Sequence, residues 1–172
     1  MSVEEELHEH AEHAKAPFDK KVSATMAVLA AALAIVTVLG HMATTEEIVL
    51  QQEASDQWSY YQAKNIRRYE SDIAKDLMTA LQKPEKAEEY AKSSERYKKD
   101  DEDIQEKAKE LETESHHKSA EATRLEYGGV FLELAIVLGA AAILAKHPMF
   151  WLISIGSGVV GAIISASVVM IK

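Results

Sequence analysis

Three imidazoles stand close together near the N-terminus. His8, His10 and His13 lie among Glu4, Glu5, Glu6, Glu9 and Glu12. Imidazole is the commonest ligand for borderline divalent metals, and carboxylates can complete such a site. The spacing is loose, because on a helix the three histidines do not share one face. The tract therefore has two readings, a solvated acidic helix or tail and a site for a divalent metal or a proton; it is the one cofactor candidate in the chain. Glu133 is more pointed. It is the lone acid in an otherwise apolar run from Val130 to Ala145, and an ionisable group in such a setting is a functional hypothesis by default. Expected near Thr37 and His41, it would either form a structural hydrogen bond or ion pair with His41, or contribute to an acidic ring lining a pore. A third cluster, Trp58, Ser59, Tyr60 and Tyr61, reads as a hydrophobic seam or as an interface that anchors a partner.

Other chemistry lacks its residues. The chain has no cysteine, which excludes disulfides, thiolate metal sites and thiol nucleophiles. Gly156-Ser157-Gly158-Val159-Val160-Gly161 matches GxGxxG, but that fingerprint binds a dinucleotide only at a strand-to-helix turn, and here it lies inside an apolar run. Its small residues read better as packing. Ser154, Gly158 and Ala162 recur at every fourth position, with Ser157, Gly161 and Ser165 beside them, and such ladders let membrane helices approach closely. There is no serine triad, phosphate loop, paired-carboxylate signature or HExxH, so no enzymatic activity is expected. A net charge of -9 without a basic cluster also argues against nucleic acid.

The elements that would position these groups follow from where the charge lies. Residues 1–21 are polar and acidic, whereas 22–40 contain no ionisable side chain. At about 1.5 Å per residue a run of that length crosses the roughly 30 Å hydrocarbon layer, so it reads as a transmembrane helix. The long acidic leader lacks the short basic start of a signal peptide, and the run is expected to be retained. Residues 130–145 and 148–171 make two further spans, separated by a short break at Lys146-His147-Pro148.

Between the first two spans, residues 41–129 hold 14 Lys/Arg against 21 Asp/Glu, and their one proline is Pro84. Two nearly equal arms about Pro84 predict an antiparallel, coiled-coil-like helical hairpin. Thr44 followed by Glu47 suggests a capping box that opens the first arm, and Pro84 suits the first turn of the second. On the first arm Trp58, Tyr61, Ile66, Tyr69, Ile73, Leu77 and Leu81 form an apolar stripe. On the second, Tyr97, Asp101, Ile104, Ala108, Leu111, Ser115, Lys118, Ala122, Leu125, Gly129 and Leu132 alternate steps of four and three. Polar residues at seam positions make a lone hairpin marginal, so association with further copies is expected. The hairpin register sets Trp58 near Leu111 and Ile73 near Ser94 or Glu95.

Lysines and arginines near the span ends give an orientation. Lys15, Lys20, Lys21 and Lys146 fall on one side, and Lys118, Arg124 and Lys172 on the other. The positive-inside rule favours a cytoplasmic N-terminus and an extracytoplasmic hairpin.

The acidic His-rich leader, Lys20-Lys21 before the first span, and above all Glu53-Ala54-Ser55-Asp56-Gln57-Trp58-Ser59-Tyr60-Tyr61-Gln62-Ala63-Lys64-Asn65-Ile66-Arg67 resemble the bacterial membrane proteins grouped as domain of unknown function 4337. The resemblance implies a bacterial inner-membrane protein and draws attention to Trp58, Tyr61 and Gln62. It brings no catalytic residues. The expectation is therefore an all-α integral membrane protein with three transmembrane helices. Its partners are the lipid bilayer and further copies of itself, and it acts as an envelope scaffold or, alternatively, as an oligomeric channel with Glu133 near the pore.

Overall fold

Between Phe18 and Lys83 the sequence has a single glycine and no proline, so nothing in it interrupts a helix. The computed structural model describes residues 17–170. Helix α1 runs unbroken over Pro17–Ala80, α2 over Pro84–Ala145 and α3 over Pro148–Ala166, followed by a 3₁₀ turn at Ser167–Met170. There is no strand among the described residues. Each of the three helices carries a stretch long and apolar enough to cross a membrane. The expected cap at Thr44 is not a helix start: Thr44 lies inside α1, because no proline stands near it and the lone Gly40, one turn earlier, is carried within the helix without ending it.

All three helices begin at a proline in the first turn, where the missing N–H has no intrahelical acceptor to lose. Helix α1 stops through a Schellman motif. Gln82 adopts φ 55°, the Lys83 N–H donates to the Met78 carbonyl at 2.9 Å, and the Gln82 N–H donates to Thr79 at 3.1 Å. The Lys83 carbonyl then accepts the Ala87 N–H at 3.1 Å to open α2. At the next junction Lys146 takes φ 51°, and His147 caps α3 by accepting the Met149 N–H on Nδ1 at 3.3 Å.

The described chain divides into two compact units. One comprises the described residues up to Ala43 together with those from Ala120 onward, and the other is Thr44–Ser119. In the first, the short α3 packs on both longer helices. Ser154 and Gly158 are buried, and Ser154 Oγ donates to the Ala135 carbonyl at 2.6 Å. Ser157 Oγ donates to the Phe131 carbonyl at 2.8 Å. A side chain on Gly161 would run into the Gly128 carbonyl, and one on Gly128 into Ser165 and the Gly161 carbonyl. The two backbones thus meet where only hydrogens stand between them. Towards α1, Trp151 Nε1 donates to Thr25 Oγ1 at 3.3 Å, its ring lies edge-on to Phe18, and Leu29 fills the space beside Gly158. Arg124 donates to the Ser167 carbonyl at 3.3 Å, placing a cation at the C-terminal end of α3 where the helix dipole favours one.

In Thr44–Ser119, α1 and α2 meet through a seam in which residue numbers rise along one helix as they fall along the other. Lys118 pairs with Glu46 at 3.0 Å, and Ser115 Oγ donates to the Glu47 carbonyl at 3.3 Å. Further along, Lys64 meets Asp100 at 2.7 Å and Ser94 Oγ donates to Asp72 at 2.8 Å. The residues of α2 buried here are Asp101, Ile104, Ala108, Leu111 and Ser115, all from the four-three series.

Candidate functional site

The stripe read as the first arm's seam divides: Trp58 and Tyr61 are half-buried, with Trp58 bonded to α2, whereas from Ile66 onward it faces the other way. Ile66, Tyr69, Ile73, Leu77 and Leu81 are 53% to 69% exposed. The inward positions of α1 are instead Ala54 and Ser71, both buried, with the half-buried side chains of Lys64 and Arg68. The reason is volume. Ile104 and Leu111 of α2 are buried in this seam, and small residues with the aliphatic stems of Lys64 and Arg68 suffice opposite them. The large apolar residues are left on an outer face.

A polar layer crosses this seam. Lys64 Nζ bonds Asp100 and lies over the rings of Tyr60 and Tyr97, 5.3 and 5.5 Å from their centroids. Its hydrogen bond to the Asp100 carboxylate, and then that to Tyr60, hold the ammonium above the ordinary lysine range. Arg68 lies 3.6 Å from the carboxylate of Asp101, a residue only 3% exposed. Neither carboxylate oxygen of Asp101 has a hydrogen bond, and the buried Asn65 Oδ1 is likewise without one. Asp101 is legible in the sequence as a polar intruder in the four-three series; its partner Arg68 is not, because it stands one step off the apolar stripe of its own helix.

The aromatic cluster splits. Trp58 and Tyr61 pack edge to face, with ring centroids 5.7 Å apart, and Trp58 Nε1 donates to Glu112 Oε1 at 3.0 Å. Tyr60 and Gln62 are exposed. Trp58 and Glu112 border a groove of about 390 Å³ between α1 and α2.

Glu133 is exposed, although its near neighbours Leu132 and Ala135 are buried, and among the described residues it has no hydrogen bond or ion pair. It does not meet His41 or Thr37. Gly40 lies against Leu125 and Gly129 against Leu33 and Val36, which sets Glu133 level with α1 residues near 32. His41 is then roughly 13 Å away along the helix, at about 1.5 Å per residue. His8, His10 and His13 lie outside the described residues. Among those described, no group of three or more His, Asp or Glu side chains is placed to hold a metal ion.

Long helices with membrane-length apolar stretches, small residues where their backbones meet and a polar seam elsewhere define an all-helical protein of membrane-protein composition. The chain belongs to the family described as domain of unknown function (DUF4337), whose model matches residues 18–170. No curated protein and no solved structure matches it.

Proposed function

We propose that the chain is a non-enzymatic, homo-oligomeric scaffold of the bacterial inner membrane. Its three apolar stretches cross the bilayer, and Thr44–Ser119 forms an antiparallel, coiled-coil-like hairpin that engages further copies. The observation that carries this reading is the outer face of α1: five large apolar side chains from Ile66 to Leu81, each more than half exposed. That segment is otherwise strongly charged, with 13 Lys/Arg and 19 Asp/Glu between Thr44 and Ser119, so it belongs in water. A contiguous apolar stripe in water marks an interaction surface. Lys20, Lys21 and Lys146 favour a cytoplasmic N-terminus with the hairpin on the far side.

The absence of cysteine gives a direct test. Ile73→Cys, crosslinked in native membranes, is expected to give disulfide-linked dimers, whereas Ser71→Cys, on the buried side of the same turn, gives none. Failure of Ile73→Cys to crosslink, or equal crosslinking of both, contradicts the proposal.

A second reading is favoured by one specific observation. Glu133, exposed in an apolar run and without a pair among the described residues, would line the axis of a channel-forming oligomer. Glu133→Gln in a liposome flux assay separates the two: a channel loses or changes its cation flux, and a scaffold has none to lose.

A further inference from the structure

We propose that the groove between α1 and α2 is a binding site for a single organic cation, an alkylammonium or guanidinium head on a short apolar stem. Its floor is formed by Ala54 and Ser115, both buried and small. Both line the groove, one from each helix, and their lack of bulk leaves the hollow open. Gln51 and Trp58 border it from α1, and Glu112 and His116 from α2.

Ser115 Oγ is spent on the Glu47 carbonyl, but the walls retain polar capacity. The indole N–H of Trp58 holds Glu112 by Oε1 and leaves Oε2 unengaged. No lysine or arginine pairs with Glu112 among the described residues, although some carboxylates along α2, its neighbour Glu110 among them, have one. Asp100 has Lys64, Glu110 has Lys107 and Glu88 has Lys92. Among the described residues, neither the Gln51 nor the His116 side chain has a hydrogen bond or ion pair. Glu112 is thus an oriented carboxylate, beside an indole, that lacks its cation.

Size and chemistry choose the occupant. At about 390 Å³ the groove is far larger than a metal ion needs, a water taking roughly 30 Å³, and it lies at the lower end of the range for small-molecule sites. A carboxylate beside an aromatic ring recognises an organic cation by ion pairing and by the ring's negative face. The excess of acids over bases from Thr44 to Ser119 draws cations towards it. This proposal rests on the α1–α2 contact alone and stands whether or not the chain forms oligomers.

The test is ¹⁹F NMR on the full chain in nanodiscs, labelled with 5-fluorotryptophan, so that Trp58 reports and Trp151 serves as an internal control. Trp58→Phe assigns the two signals. Titration with n-butylguanidinium or n-butylammonium is expected to shift the Trp58 signal saturably and leave Trp151 in place, and the uncharged n-butylurea is expected to shift neither. Glu112→Gln retains an oxygen for the indole N–H and is expected to weaken binding at least tenfold. Ser55→Trp, at an exposed position lining the groove, is expected to abolish it by filling the space. Tighter binding of a short arginine peptide than of n-butylguanidinium assigns the cation to a partner's side chain; equal or weaker binding assigns it to a small solute. No saturable shift of Trp58, an equal response to n-butylurea, or unchanged affinity in Glu112→Gln and Ser55→Trp overturns the proposal.

Discussion

Asp101 is the costliest side chain in the seam between Thr44 and Ser119. Its carboxylate is buried without a hydrogen bond and has one cation, Arg68, at 3.6 Å. Removing one member of such a pair leaves a charge that neither water nor protein solvates, whereas replacing the buried acid by an apolar residue removes the desolvation cost. Arg68→Met is therefore expected to destabilise this region by about 3 kcal/mol, the lower end of the range for breaking buried pairs. Asp101→Leu is expected to be neutral or stabilising by about 1 kcal/mol, since Arg68 can still reach solvent. Chemical denaturation followed by circular dichroism checks both, and equal destabilisation by the two variants contradicts the assignment. Lys64 gives a pH dependence of definite sign. Its folded state favours the protonated ammonium, so its contribution is complete below the ordinary lysine value of 10.5 and is lost as pH rises through the higher folded value. Thermal melts should show wild type converging on Lys64→Gln at strongly alkaline pH, with the two most separate near neutrality. Glu88 and Glu110, held below the ordinary glutamate range by hydrogen bonds from Lys92 and Lys107, act in the opposite direction: their contributions are lost as pH falls through the lowered values.

Helix α3 packs because two glycines are absent as side chains. A methyl group on Gly161 would meet the Gly128 carbonyl and Leu132, while one on Gly156 would meet nothing within 4 Å. Gly161→Ala is therefore expected to lose about 1 to 3 kcal/mol through overpacking, and Gly156→Ala to gain up to about 1 kcal/mol of helix propensity, as thermal unfolding in detergent would show. Part of the small-residue ladder was readable in the sequence, because its period of four survives in any helix: Ser154, Gly158 and Gly161 are buried, whereas Ala162 is exposed. So was the inner face of α2, whose four-three steps pick out Asp101, Ile104, Ala108, Leu111 and Ser115. The inner face of α1 was not, because periodicity reports which residues share a face and not which way the face looks. Ile66 to Leu81 are regular and point outward, while Ala54, Ser71, Lys64 and Arg68 fill the seam without an apolar signature. The depth of Glu133 was missed for a related reason. Register counted from Pro84 accumulates error over some 45 residues, and close contacts such as Gly129 with Leu33 and Val36, invisible in the sequence, fix it instead.

For the molecule as a whole, the proposed scaffold requires that the outer face of α1 be covered by another copy. The stripe from Ile66 to Leu81 runs for roughly 22 Å at about 1.5 Å per residue, too short for a stable dimer by itself against the roughly 800 Å² per partner that specific interfaces bury. Contacts through the apolar helices would have to supply the rest, so weakening the stripe should lower the order of assembly without unfolding the subunit. The most direct measurement is the mass of the intact particle by native mass spectrometry from mild detergent, for wild type and for the triple variant Ile66→Ser, Ile73→Ser and Leu77→Ser. A defined multimer is expected for wild type, and a smaller species of unchanged helical content for the variant. A wild-type monomer, or a variant of the same mass as wild type, would contradict the scaffold.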